Sequence, residues 1–468
     1  GGAIVNRKLS HCVAIFSVLA ICGLASAKPL GWRTDGTGRY PKAKPPTEWA
    51  PDNNVVWTTP MPGWSNSTPV IVRKKLFVCS EPVTLLCINV ADGKVIWQKT
   101  NTYEDMMSKE DAEKVKADLK RAGEIRNLSG QVQKVINELK KKQKESPNKE
   151  EFKSAIDAFN KGIGELKKRE NELSAYRMPE TNRGATGYST ATPATDGKRV
   201  YAIFGNGVVA CYDLDGNRKW IKFIEKPTQG HGHSMSPLLV GGKLIVRFVN
   251  MHAIDTKTGE VVWKVNVGHK WGTPVSVRIG KVDAIVTPGG LCLRASDGKV
   301  LARGMTGLEY SAPVVYKGVV YFIQHGGKAF KIPSKITASE DGKDEKAVFE
   351  KLWETKPKKD RYYSTAAVDG GLVYAVNQKG VFNAIDGKTG EIVYEQKLKT
   401  TGTVYPSVAV AGKYVFVGSE GGAIVVLETG REYKEVAVNK LDKMRSSPVF
   451  IDTRMYLRGM KSLYCIGK

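Results

Sequence analysis

The chain is poor in most of the signatures from which an enzyme class can be read. Among 468 residues there are seven cysteines. None belongs to a C-x-x-C-H haem-attachment sequence or to a zinc-finger spacing. No G-x-S-x-G element and no P-loop occurs, which leaves hydrolase and nucleotide-dependent readings without a nucleophile or a phosphate cradle. His231-Gly232-His233 is the nearest approach to a metal site. No cysteine or carboxylate follows it at ligand spacing, so it reads as a glycine-rich loop with exposed histidines. Beyond residue 27, no segment reaches the ~20 apolar residues that a transmembrane helix requires. Acidic residues are also in deficit, with 47 Asp plus Glu against 72 Lys plus Arg, for a formal net charge of +25.

What is present points to a folded, turn-rich protein. A hydrophobic share of 41% supplies a core and excludes a disordered chain. Forty-eight glycines imply many sharp turns, which favours β structure. At the N-terminus, Arg7 and Lys8 precede an apolar run from His11 to Leu24 and the small-x-small sequence Ala25-Ser26-Ala27. This reads as a secretory signal over residues 1–27, too short to span a bilayer, followed by a leader at 28–54. The protein is therefore expected to be exported, periplasmic or envelope-associated, and soluble once the signal is cleaved.

The organising feature is a repeat. The stretch from Ala253 through Asp255, Thr258 and Gly259 to Trp263 recurs from Ala384 through Asp386, Thr389 and Gly390 to Tyr394. It recurs again from Cys87 to Trp97, from Cys292 to Lys299, and one residue shorter from Cys211 to Trp220. Each copy writes a packed strand with a small residue, an Asp or Asn opening a turn, a Gly supplying positive φ, and a second strand with an aromatic. Upstream of each copy, a Ser, Thr or Ala followed by Pro opens another strand pair. That marker stands at Pro69, Pro193, Pro237, Pro274, Pro313 and Pro448, with degenerate forms at Ala366 and Ser407. These eight units predict an all-β fold, an eight-bladed β-propeller of four-stranded antiparallel blades. The last unit ends before its outer strand, and Val55-Val56-Trp57 supply the strand that closes the ring.

The eleven-residue element, with Trp57, Trp97, Trp220 and Trp263 as its aromatics, resembles the tryptophan-docking repeat of the PQQ-like, or quinoprotein, eight-bladed propellers. The resemblance covers residues 31–103 and 179–468, including the leader sequence Gly31-Trp32-Arg33-Thr34-Asp35-Gly36. The family holds quinone-dependent dehydrogenases and non-enzymatic relatives such as the propeller lipoprotein of the outer-membrane β-barrel assembly machinery. It therefore implies a fold more strongly than a function. The dehydrogenases carry an adjacent Cys-Cys pair, a Trp under the quinone and Glu, Asn and Asp ligands for calcium. Here no two cysteines are adjacent, and Cys87, Cys211, Cys292 and Cys465 take the small-residue position filled by Ala253 and Ala384 in other units. Cys79 and Cys87, in neighbouring strands, are the one pair near enough to consider as a disulfide. The Asp and Asn residues mostly occupy turn positions that the repeat explains, so no catalytic residue and no metal ligand is assigned.

One gap of 124 residues between markers holds a different pattern. Val115, Leu119, Ala122, Leu128, Val132, Val135 and Leu139 recur at helical spacing, and Ser146-Pro147-Asn148 breaks the run. Phe152, Ile156, Phe159, Ile163, Leu166 and Leu173 then follow a coiled-coil alternation interrupted at Glu170. Residues 104–178 thus predict an antiparallel helical hairpin inserted at a blade crossing, projecting with polar outer faces or folded against the rim. On the same side of the propeller, three residues before the marker, stand Trp271, Tyr310, Tyr363 and Arg445. They are expected to cluster at the mouth of the central channel, as a binding funnel or as packing between blades.

Taken together, these features predict an exported, non-enzymatic scaffold that binds a protein or an anionic envelope component, with no cofactor. The alternative is a PQQ-dependent alcohol or sugar dehydrogenase carrying PQQ and calcium. Binding to a polyanion follows from charge alone. However, residues 104–178 hold 18 basic and 15 acidic side chains, only +3, and the signal removes two more, leaving +20 spread over turns. Such a diffuse basic disc suits adhesion to an anionic surface and not sequence-specific nucleic-acid readout.

Overall fold

The structure, a computed structural model, describes residues 29–181, 184–228, 231–338 and 345–468. The expected signal over residues 1–27 lies outside them. Among the described residues, eight four-stranded antiparallel sheets follow one another along the chain, the first seven with their four strands in sequence order. The first comprises Val70–Val72, Lys75–Ser80, Thr84–Asn89 and Val95–Thr100. The next six open with Ala194–Thr195, Leu238–Val240, Val275–Ile279, Val314–Tyr316, Ala367–Asp369 and Ala409–Ala411. The eighth combines Val449–Ile451, Arg454–Arg458 and Ser462–Gly467 with Val55–Pro60, which pairs antiparallel to the last strand of the chain. The fold is thus mostly β, with two α-helices among the described residues.

The repeat explains the local geometry. In the third sheet Ala253 stands between Ile245 and Trp263 across two ladders. The Asp255 carboxylate accepts from the N–H groups of Lys257 at 2.8 Å and Thr258 at 2.9 Å, and Gly259 turns the chain at φ +77°. A register shift occurs in the outer pair of every one of these eight sheets, after an Ala or Cys in seven and after Val426 in the seventh. Such a bulge sharpens the twist of the outer strand. The same bulge at Ala329/Phe330 and Val426/Leu427 marks the fifth and seventh copies, whose turns the sequence disguises. In the fifth, an insertion carrying the hairpin Thr337–Ala338 and Glu345–Lys346 separates Ala329 from its partner Trp353.

The aromatics join neighbouring sheets. Trp57, Trp97, Trp220, Trp263 and Trp353 each send the indole N–H to a carbonyl in the next sheet's turn, at 3.0–3.2 Å. Each ring also lies against that turn's glycine, Gly93, Gly216, Gly259, Gly298 or Gly390. Trp57 carries this contact from the eighth sheet to the first, and the core there is shared by Leu76, Leu86, Phe450, Tyr456 and Leu463. Cys79 and Cys87 do not form the considered disulfide. Both are free and buried, and the register sets Cys79 opposite Leu85 and Cys87 opposite Phe77.

The leader is threaded through the structure. Leu30 bridges Thr195, and Arg39–Tyr40 adds a parallel strand to Ala409–Ala411. Between them Arg33 is buried and donates to the carbonyls of Ala366 at 2.9 Å and Val408 at 2.6 Å. Burial lowers its guanidinium to about 10.

Helix α1 (Lys109–Glu145) starts at Ser108, whose hydroxyl accepts from the Asp111 N–H. Helix α2 (Lys149–Leu173) returns alongside it, with Ile136, Ile156 and Ile163 buried between the two. The seam on α1 runs Ala122, Ile125, Ser129, Val132, Ile136, Leu139. Leu128 and Val135, read from sequence as seam residues, fall one step off it and are 47% and 40% exposed. The expectation of wholly polar outer faces is corrected accordingly. Glu170, the apparent interruption of the α2 seam, is buried and accepts from Arg126 at 2.8 Å and Arg177 at 2.6 Å.

Candidate functional site

The residues before each marker form two tiers. In the deeper tier, immediately before the marker, stand Thr68, Thr192, Ser236, Thr273, Ala312, Thr365, Ser407 and Ser447. Here the backbone N–H of one sheet donates to the hydroxyl of the next: Thr68 to Thr192, Thr192 to Ser236, Ser236 to Thr273, Ala312 to Thr365, Thr365 to Ser407, Ser407 to Ser447, and Ser447 back to Thr68. These bonds measure 2.9–3.2 Å. Only Ala312, which has no hydroxyl, interrupts the circuit.

Two residues earlier lies the outer tier, Asn66, Thr190, Ser234, Trp271, Tyr310, Tyr363, Tyr405 and Arg445. Both tiers line a single cavity of about 400 Å³. The four residues singled out from sequence, Trp271, Tyr310, Tyr363 and Arg445, are brought together there. Sequence reasoning missed Tyr405 because it set the seventh marker at Ser407. The circuit shows that Ser407 is the hydroxyl and Val408 the marker position, so counting back three residues lands on Tyr405. Trp32 and Arg361, also in the lining, had no repeat position to reveal them.

The outer tier is two-sided. Tyr310 meets Tyr363 edge-on at 4.7 Å between ring centroids, Tyr363 leans on Tyr405 at 4.9 Å, and Arg445 lies 4.8 Å over Tyr405. Trp271 is flanked by His269 at 4.7 Å and His231 at 6.2 Å. Asn66, Thr190 and Ser234 make the other side polar. Arg445 is held by Glu420, its Nε 2.9 Å from the carboxylate, and donates to the carbonyl of Gly184. The Arg361 guanidinium donates to the Tyr363 hydroxyl at 3.2 Å. Burial raises the Tyr405 phenol. Trp32 lines this cavity and a second one shared with Pro237 and Pro274, so the leader is the partition between them.

The cavity has cationic and aromatic walls. Its described lining contains no Asp, Glu or Cys. Among the described residues, no three His, Cys, Asp or Glu side chains stand close enough to hold a metal ion. The histidines of the 231–233 loop differ from each other. His231 is exposed, whereas His233 is buried, bonded through Nε2 to the Arg247 carbonyl and pushed down to about 3 by burial. No described helix is long and apolar enough to cross a membrane.

Stacked four-stranded sheets with tryptophan docking define a PQQ-like, propeller-like repeat protein. The sequence family described as outer membrane protein assembly factor BamB matches residues 47–125, 176–307, 249–403 and 347–431, and the chain belongs to that family. Among solved structures, BamB from Moraxella catarrhalis superimposes with a TM-score of 0.54 at 11% identity, over 88% of this chain and 97% of that one. A europium-containing methanol dehydrogenase gives 0.55 at 12%, over 95% and 99%. The quinohemoprotein alcohol dehydrogenase from Comamonas testosteroni gives 0.52 at 11%, over 93% and 80%. At these identities the likeness is one of fold. No curated protein matches the chain in sequence.

Proposed function

We propose that the eight sheets are the blades of one closed propeller, residues 55–103 and 179–468, with the helical hairpin 104–178 inserted between the first two blades. The hydroxyl circuit returning from Ser447 to Thr68 and the docking of Trp57 on Gly93 support closure. The leader 28–54 then threads the channel and floors the funnel with Trp32.

On that frame the protein is an exported, non-enzymatic scaffold of the cell envelope. It holds a protein or anionic envelope partner through the funnel face and the helical arm. The observation that carries this reading is the funnel lining: aromatic rings, hydroxyls and two guanidiniums, with no carboxylate among the described residues. A quinone dehydrogenase needs a carboxylate set to hold calcium and a base to take the substrate proton. The lining does not fit that pair, so no catalytic step is drawn through it. The rival reading, a PQQ-dependent dehydrogenase, draws on the fold shared with methanol dehydrogenase and on Arg361 and Arg445 beside planar rings, which suit a flat anion.

The test is capture from envelope extracts by three proteins: the whole chain, a chain lacking residues 104–178, and Trp271→Ala/Tyr310→Ala. A partner that co-purifies with the first, is lost from the second and is weakened at least tenfold in the third supports the scaffold. Equal capture by all three removes both proposed surfaces.

A further inference from the structure

The hydroxyls of the deeper tier are only half used. The seven Ser and Thr side chains of the circuit are 2–8% exposed, and all of them line the cavity. A serine or threonine hydroxyl carries one proton and two lone pairs. Here each accepts from a backbone N–H of a neighbouring sheet, and among the described residues none passes its own proton to a protein acceptor. Where the circuit breaks at Ala312, the Thr273 N–H is likewise without a protein acceptor among the described residues. A buried donor left without a partner costs about 1–3 kcal/mol. Whatever fills the cavity must therefore bring acceptor oxygens to a ring of donors.

The walls above the ring narrow the choice of ligand. Trp271, Tyr310, Tyr363 and Tyr405 are partly exposed in the lining. Their π faces are negative and suit the weakly positive C–H face of a pyranose. On the polar side, Asn66 Oδ1 has no donor and can accept from a sugar hydroxyl. Arg445 is neutralised by Glu420, whereas Arg361 is exposed, bonds through its guanidinium to the Tyr363 hydroxyl and belongs to no ion pair among the described residues. Lys356, Lys358 and Lys359 lead up to it on the same crossing, also exposed and without an ion pair among the described residues. The carboxylates on that side are engaged. Lys270 holds Glu309, Lys379 lies 3.5 Å from Asp360, and Glu395 and Asp442 accept the backbone N–H groups of Lys358 at 3.4 Å and Lys461 at 2.7 Å. The exposed Glu180 stands four sheets away, on the crossing from the first sheet to the second.

We propose that the funnel binds the end of an acidic polysaccharide built of uronic-acid sugars. The terminal sugar descends between the aromatic rings, and its carboxylate and ring oxygens accept from the hydroxyl ring. Carboxylates of the sugars that follow meet Arg361, Lys359 and Lys358 on the way out. The cavity of about 400 Å³ falls within the roughly 300–1,000 Å³ of small-ligand sites. This inference rests on the scaffold reading, whose anionic envelope partner it names. An acidic peptide is disfavoured, because each of its residues brings a backbone N–H to side chains that are rich in donors and short of acceptors. Inorganic phosphate would leave the aromatic wall unused.

The test is calorimetric titration of the purified full chain with a short oligogalacturonate, its carboxyl-reduced neutral counterpart, and polyglutamate of equal charge. The oligogalacturonate is expected to bind at one per chain, at least tenfold more tightly than either of the others. Arg361→Gln is expected to remove the preference for the acidic over the neutral sugar, and Trp271→Ala to weaken both sugars at least tenfold. Ser407→Ala/Ser447→Ala, which takes two donors from the ring, is expected to weaken the oligogalacturonate at least tenfold. Arg361 and Trp271 are partly exposed, so their variants test the site apart from any stability that the ring variant loses. Lys257→Glu/Lys388→Glu, in exposed turns on the opposite face, is expected to leave binding within twofold. Equal binding of polyglutamate or of the neutral sugar overturns the proposal, as does indifference to Arg361→Gln and Trp271→Ala. A loss in Lys257→Glu/Lys388→Glu also overturns it, in favour of adhesion by diffuse charge, and so does displacement of the sugar by equimolar PQQ. Failure of the scaffold reading shows separately, as turnover dependent on PQQ and calcium. This proposal fails alone if partner capture from envelope extracts persists while no oligogalacturonate binds.

Discussion

The indole of Trp220 lies on Gly259 of the following sheet and donates to the carbonyl of Thr256 at 3.2 Å. A methyl group at Gly259 would come within 2.7 Å of the ring. Gly259→Ala therefore adds a clash to the strain of a positive φ and is expected to cost about 2–4 kcal/mol. Gly242→Ala has a similar φ of +73° with open space around it, and should cost only about 1–2 kcal/mol. Urea unfolding of the two variants checks the difference. Equal losses would mean that the docking contact adds nothing.

The hydroxyl circuit lacks one member. Ala312→Ser supplies an acceptor for the Thr273 N–H at a position where the other seven sheets carry Ser or Thr. The expected gain is about 0.5–1.5 kcal/mol in unfolding free energy. Thr365→Ala, which deprives the Ala312 N–H of its acceptor, is expected to lose a similar amount or more.

Acid should weaken the fold in two stages. His233 is held neutral by burial, with its folded value near 3 against an ordinary 6.5, so the unfolded chain takes up a proton that the folded chain refuses. Burial lowers His252 and His269 in the same direction. Stability is therefore lost as pH falls below about 6.5. Glu225 adds the second stage. Burial alone would raise it, but hydrogen bonds from Asn250, Lys264 and His252 bring it down to about 2. Its contribution is present above the ordinary 4.5 and disappears as pH falls towards 2. In urea titrations from pH 7.5 downward, Glu225→Gln should start less stable than the parent. The gap between them should narrow below about pH 4.5; a gap that stays constant contradicts the assignment.

In the funnel, Tyr405→Ala removes the ring that Arg445 covers and that Tyr363 leans on. Partner affinity is expected to fall by at least as much as for Tyr310→Ala, while thermal stability changes little because the rim is partly solvated. A large loss of stability with unchanged binding would make these rings packing between sheets.

Much of this was legible from spacing alone. Asp255, Gly259 and Trp263 fix a turn, a bulge and a docking contact by local chemistry, and the same pattern recurs in four other units with replacements such as Asn89, Arg294 and Tyr394. Val55–Pro60 could be matched to the unpaired final strand because each unit's strand count is constant. The copy ending in Trp353 was hidden by an insertion, and the copy at Val426 by replacement of its turn residues. A one-residue misphasing at Ser407 concealed Tyr405. The leader was opaque for a different reason: Trp32 and Arg33 act through contacts some 330 residues away, as with Ala366, and no periodicity reports such a pairing. The side of the hairpin exposing Val135 emerges only when the seam residues are known to be Ser129 and Ile136.

The most direct test of the scaffold account is addition of PQQ and calcium to the purified protein, followed by a binding titration and dye-linked oxidation of alcohols and sugars. The account predicts no tight binding and no dye reduction above the blank. Turnover that requires both PQQ and calcium would contradict it.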